Sequence, residues 1–158
     1  MSLYRARVSW VNAGPDFLTN QYSRVHQWQF EGGQTIDATA APAIVPAPWS
    51  EAANVDPEQA FVASLSSCHM LFFLHFAARQ GYRIESYEDE AEGLMEKNAG
   101  GRMAITRVVL RPRVTFTGHK KLDTGAAEAL HEAAHKHCFI ANSVTTVISI
   151  ESRGYIET

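Results

Sequence analysis

Hydrophobic and polar positions alternate over the first forty residues and then change to helical spacing. Residues 4–10 alternate weakly and predict a first strand. Tyr22 to Phe30 predicts a second, with Tyr22, Arg24, His26, Trp28 and Phe30 on one face at period two. Glu31-Gly32-Gly33 predicts a turn, and residues 34–40 a third strand. Residues 41–55, with Pro42, Pro46 and Pro48 around Trp49, predict a loop. Its length suits a lid, a site wall or a partner arm as well as a plain surface connection.

The first helix has a defined start. Asp56 suits an N-cap, Pro57 the first helical position and Glu58 the positive end of the dipole. Phe61, Leu65, Cys68, Phe72 and Phe76 follow at helical spacing, and Gly81 is the predicted stop. Residues 83–97 and 102–116 predict two long strands joined at Asn98-Ala99-Gly100-Gly101. Pro112 places the second of these at a sheet edge or a bulge. Asp123 or Thr124 caps a second helix running to about Cys138, and Val144 to Ile150 is a last strand. The order β-β-β-α-β-β-α-β, with hairpins in place of regular βαβ units, predicts an α+β fold with a largely antiparallel sheet and two main helices. No repeat, low-complexity tract or linker divides the chain, so residues 1–158 read as one domain.

Composition narrows the function classes. At 158 residues the chain can bury roughly 70 % of its unfolded surface. A net charge of −3 without a dense Lys/Arg tract argues against nucleic acid as a partner. From Gln59 to Ala78 there are 20 residues without Asp, Glu, Lys or Arg, long enough to cross a bilayer. That stretch also holds Gln59, Ser64, Ser66, Ser67, Cys68, His69 and His75, each costly in hydrocarbon. A buried central helix fits better than a membrane span. The N-terminus lacks the basic-then-apolar layout of a secretory signal, and two cysteines suit the reducing cytoplasm.

Those two thiols, Cys68 and Cys138, are the main candidates for nucleophilic or redox chemistry, and each lies on a predicted helix. Cys68 is well inside its helix, so the helix end cannot activate it; burial alone would disfavour its thiolate. A reactive Cys68 therefore requires a cation, for which Arg24, flanked by Tyr22 and His26, is the candidate. Plain alternatives stand beside this reading. The cysteines can be inert packing, and Arg24 can be a strand residue whose stem packs on Tyr22 or Trp28. His131 and His135, four apart with His137 and Cys138 nearby, have metal-ligand spacing without a complete motif. His69 follows Cys68 directly, and neighbours on a helix point about 100° apart, so it cannot easily serve as the base of a Cys-His hydrolase.

The run from Asp56 to Met70, the Phe139-Ile140-Ala141-Asn142-Ser143 segment and Tyr22-Ser23-Arg24 before a Gly-Gly hairpin resemble the OsmC/Ohr family over nearly the whole chain. The resemblance implies an intertwined homodimer with two interface sites and thiol-dependent reduction of organic hydroperoxides. Cys68 resembles the peroxidatic cysteine, Cys138 the resolving one, Arg24 the activating arginine and Glu58 the acid that orients it. It implies an external dithiol reductant, lipoyl-type or other, and no metal, flavin or haem. Trp28, Trp49, Phe61, Leu65, Phe72 and Phe73 are expected to supply an apolar substrate pocket. The follower of the first cysteine is His69, where the hydroperoxide-resistance branch has an apolar residue, so the chain looks closer to the broader OsmC-like branch. A non-enzymatic member that binds an apolar ligand or partner is the alternative. Glu58 and Cys68 stand ten residues apart, ~15 Å along a helix, so a shared site implies that Glu58 comes from the partner subunit.

Overall fold

A computed structural model describes every residue of the chain except Pro15. The chain forms two compact units, Met1–Ala60 and Phe61–Thr158.

In the first unit, β1 (Ala6–Ser9), β2 (His26–Phe30) and β3 (Thr35–Ala38) make an antiparallel sheet in that order. Val8, Trp28 and Ile36 share one register line across it. The predicted second strand is shorter than its alternation suggests, because Tyr22 to Val25 lie in an irregular segment before β2. The proline-rich segment that follows β3 is tied back to the sheet. Thr39 N–H donates to the Val55 carbonyl, Val55 N–H donates to that of Asp37, and the buried Thr39 hydroxyl accepts from Glu51 N–H.

Helix α1 runs unbroken from Pro57 to Arg79. Asp56 caps it, its Oδ1 accepting from Gln59 N–H at 2.7 Å. Gly81 ends it at φ 80°, a conformation that a side chain disfavours, with Tyr82 N–H returning to the Ala77 carbonyl. In the second unit, β4 (Arg83–Asp89), β5 (Glu92–Lys97), β6 (Met103–Leu110) and β7 (Pro112–Thr117) precede α2 (Thr124–His137). Strands β8 (Val147–Ile150) and β9 (Gly154–Glu157) follow it. Asp123 is the N-cap of α2, accepting from Ala126 N–H.

Each of the two long predicted strands is interrupted, and the expected last strand continues into β9. The interruptions fall at one level, giving the sheets β4-β7-β9 and β5-β6-β8. Pro112 opens the central strand of its sheet and does not lie at an edge; its missing N–H falls where the ladder is already broken. At the same level Arg111 reaches Glu92 and Glu151, its backbone N–H donates to Asp89, and Asp89 accepts from Ser66 on α1. The β6–β8 and β7–β9 pairings are parallel, so the sheets are mixed within an α+β fold.

Two apolar clusters flank α1. Phe73 and Ala77 pack with Val114, Phe116, Leu130 and Ala134; Leu65 packs with Val108 and Leu110. Removing each such Leu, Val or Phe side chain from water contributes about 1.5–3 kcal/mol. The second cluster leaves no room at Gly93, where a Cβ would lie 2.6 Å from Val62 Cγ2 and 3.3 Å from Ile105 Cγ2. Gly93→Ala is expected to cost about 1–3 kcal/mol in urea denaturation, with part of that loss recovered by adding Val62→Ala. Unchanged stability in the single variant would contradict this close approach.

Candidate functional site

The second unit brings the two thiols together. Cys68 sits mid-helix on α1, partly exposed; Cys138 is the C-cap of α2, 1 % exposed, and the two are free thiols near enough for Cys68 to influence the Cys138 thiol. The turn after α2 closes on the Cys138 side chain, with Ala141 N–H approaching its Sγ at 3.4 Å. Burial, followed by the Cys68 contact, pushes the Cys138 thiol up to about 11. Cys138 therefore keeps its proton near neutrality and can donate it toward the Cys68 sulfur.

Aromatic rings gather beside this pair. Phe72, one turn after Cys68, meets Phe139 edge-on at 5.0 Å, and Phe76 meets His137 at 5.1 Å. Phe61, two turns before Cys68, lines a cavity of about 420 Å³ with Ile105 and Val144. Leu65 and Phe73, expected in the pocket, are core residues on the inward face of α1, 1 % and 0 % exposed. Apolar positions on more than one face of this helix hid which stripe faces inward.

The first unit gathers Arg24, Trp28 and Trp49. The Arg24 guanidinium lies 3.7 Å above the Tyr22 ring, and Tyr22 packs on Trp10 and Phe17. Its Nη1 donates to the carbonyls of Asn20 and Tyr22, and its Nη2 to Asn20 Oδ1 at 2.6 Å. With three of five N–H groups so engaged, Nε–H and one N–H of Nη2 have no partner among the described residues. The Arg24 backbone N–H donates to the Trp49 carbonyl at 2.8 Å, so the long loop serves to hold this arginine. Glu58, half-buried at the start of α1, forms no ion pair with Arg24 or any other described residue.

Sequence reasoning missed a buried histidine pair. His69 on α1 and His131 on α2 stack with centroids 5.2 Å apart and share a hydrogen bond of 2.9 Å. They are 1 % and 4 % exposed, and Phe73, Tyr87 and Tyr155 surround His131. Burial, with His131 and His135 adding charge repulsion, holds His69 down at about 3; burial alone holds His131 at about 4. The metal-ligand spacing of His131 and His135 is thus divided between a buried ring and an exposed one, and no metal-binding cluster of three or more His, Cys, Asp or Glu occurs among the described residues. His69 lies off the Phe61-Leu65-Cys68-Phe72-Phe76 spacing read for the first helix, so the sequence carried no sign of the pair.

A model of OsmC-like proteins matches residues 50–153. An OsmC-like protein of unknown function from Vibrio cholerae O1 is 52 % identical, with TM-score 0.94, over 96 % of this chain and 99 % of that one. The organic hydroperoxide resistance protein OhrB of Bacillus subtilis is 22 % identical, with TM-score 0.61, over 96 % and 100 %. An organic hydroperoxide resistance protein OsmC from Legionella pneumophila is 18 % identical, with TM-score 0.66, over 100 % of both chains. These last two likenesses are of fold alone. No protein of curated function is significantly similar to the chain.

Proposed function

Since the chain belongs to the OsmC-like protein family, we propose that it reduces organic hydroperoxides to alcohols through Cys68 and Cys138. The observation that carries this reading is the meeting of the only two thiols with unequal access. The partly exposed Cys68 is reachable by a peroxide, whereas Cys138 is buried and protonated. The Cys68 thiolate attacks one peroxide oxygen and the O–O bond breaks. The other oxygen leaves with the organic group and takes up a proton as the alcohol, leaving a sulfenic acid on Cys68. Cys138 attacks that sulfur, water departs and a disulfide forms. An external dithiol, lipoyl-type or other, then reduces the bridge in the cytoplasm. No cofactor takes part in this cycle.

Arg24 is the activating cation in this scheme, its two unengaged N–H groups being suited to a thiolate and a peroxide oxygen. Phe61, Phe72 and Phe139 offer apolar surface to the organic group, and Trp28 and Trp49 are the tryptophans that the family resemblance adds to that role. A homodimer is part of the proposal. Leu71 and Phe139, 60 % and 71 % exposed in the single chain, suit burial by a second copy, and Glu58 acts in the partner's site.

Titration of free thiols before and after one equivalent of cumene hydroperoxide tests the reading. Rapid loss of two thiols per chain, with an intramolecular disulfide by mass, is expected. Unchanged thiols would transfer the pocket to a binding module for an apolar ligand or partner.

A further inference from the structure

We propose that His26 is a positioning residue that fixes Arg24 and Trp28 relative to each other, an inference that rests on the peroxidase reading of Arg24. The His26 ring stands between two groups whose chemistry fits one tautomer of the neutral ring. Its Nδ1 lies 2.8 Å from the Arg24 carbonyl oxygen, which can only accept. Its Nε2 lies 2.9 Å from Trp28 Nε1, whose N–H can only donate. Both bonds form only when Nδ1 carries the proton and Nε2 is bare. The other neutral tautomer would set two N–H groups against each other at the indole and a lone pair against the carbonyl. An imidazolium would keep the carbonyl bond and lose the indole bond.

Position 26 opens β2, and Trp28 follows on the same strand face, so one rigid ring links a strand to the irregular segment before it. Arg24 is then held from both sides, its N–H by the Trp49 carbonyl and its carbonyl by His26. Two fixed peptide groups define where the Cα–Cβ bond of Arg24 points, and the contacts with Asn20 and Tyr22 fix the guanidinium beyond it. The same ring orients the Trp28 indole, a proposed wall for the organic part of the peroxide. His26 touches neither thiol nor peroxide in this scheme; it acts through Arg24 and Trp28.

Nitrogen-15 NMR of the intact protein tests this directly. His26 should show a protonated Nδ1 and a bare Nε2 at neutral pH. One of the three indole N–H signals, identified by its absence in Trp28→Phe, should be shifted and slow to exchange. His26→Phe should abolish that shift and slow the single-turnover reaction with cumene hydroperoxide on the order of tenfold to a hundredfold. His26→Gln places a carboxamide oxygen near the former Nε2 and should recover the indole signal. His26→Asn places an amide N–H near the former Nδ1 and should recover more of the rate. A protonated Nε2, or an indole signal indifferent to His26→Phe, would overturn the bridge. The expected NMR signature with a parent-like rate in His26→Phe would overturn the positioning role. Failure of the peroxidase reading is distinguishable: the parent itself would then consume no peroxide while its NMR signature stayed intact, and the catalytic part of the proposal would fall with it.

Discussion

Cys68→Ser is expected to eliminate the first turnover with cumene hydroperoxide, a loss on the order of 10³-fold or more in rate. A serine hydroxyl at that position does not ionise near neutral pH, so no comparable nucleophile meets the peroxide. Cys138→Ser should behave differently. Cys68 is untouched there, so the first oxidation proceeds, but no second thiol condenses with the sulfenic acid. That variant should consume one thiol, stall, and gain a second oxygen on Cys68 under excess peroxide. Rapid mixing gives the rate of the first step, and intact mass distinguishes disulfide, sulfenic and sulfinic products. Equal single-turnover rates for Cys68→Ser and the parent would remove the roles assigned to both cysteines.

Lowering the pH from 8 to 5 is expected to destabilise the fold by about 2 kcal/mol for each histidine of the buried pair, about 4 kcal/mol together. Folding lowers these two basic groups, to about 3 for His69 and about 4 for His131, from an ordinary 6.5. The unfolded chain therefore binds their protons more tightly. Their effect is absent well above pH 6.5, grows as pH falls through 6.5, and levels off only below the folded values. Because both rings are almost wholly buried, solvent screening reduces this little. Urea denaturation across that range measures it. The double variant His69→Leu/His131→Leu should lose a corresponding part of the slope, since it retains neither titrating ring. An identical pH slope in parent and double variant would place the acid sensitivity elsewhere.

The helix limits were legible because each rests on local chemistry. Asp56-Pro57, Gly81 and Asp123 act within a few residues of themselves, and the structure uses each as the sequence indicates. The strand interruptions were not legible. The break around Arg111 is tied to Asp89, Glu92 and Glu151, which lie up to 40 residues away along the chain. Strand β9 was missed because Arg153 and Gly154 interrupt the apolar pattern, while its partner β7 lies far back in the sequence. At the site, cysteines on two helices suggested a pair, and their contact depends on how those helices pack. Phe73 and Phe72 are adjacent and equally apolar, yet one is core and the other meets Phe139. Composition cannot separate them. The histidine pair lay further out of reach, because His69 and His131 are 62 positions apart and nothing periodic between them signals that the rings touch.

The parallel placement of β8 and β9 beside β6 and β7 imposes an order on biosynthesis. The hairpin from β5 to β6 can close as soon as its turn has been made, but parallel partners must wait for the intervening α2 and the residues after it. A nascent chain therefore exposes the outer edges of β6 and β7 while residues 147–157 are still untranslated. Cys68 likewise emerges seventy codons before the thiol it meets in the folded protein. During that interval it has no internal partner, and only the redox poise of its surroundings protects it from pairing with a foreign thiol.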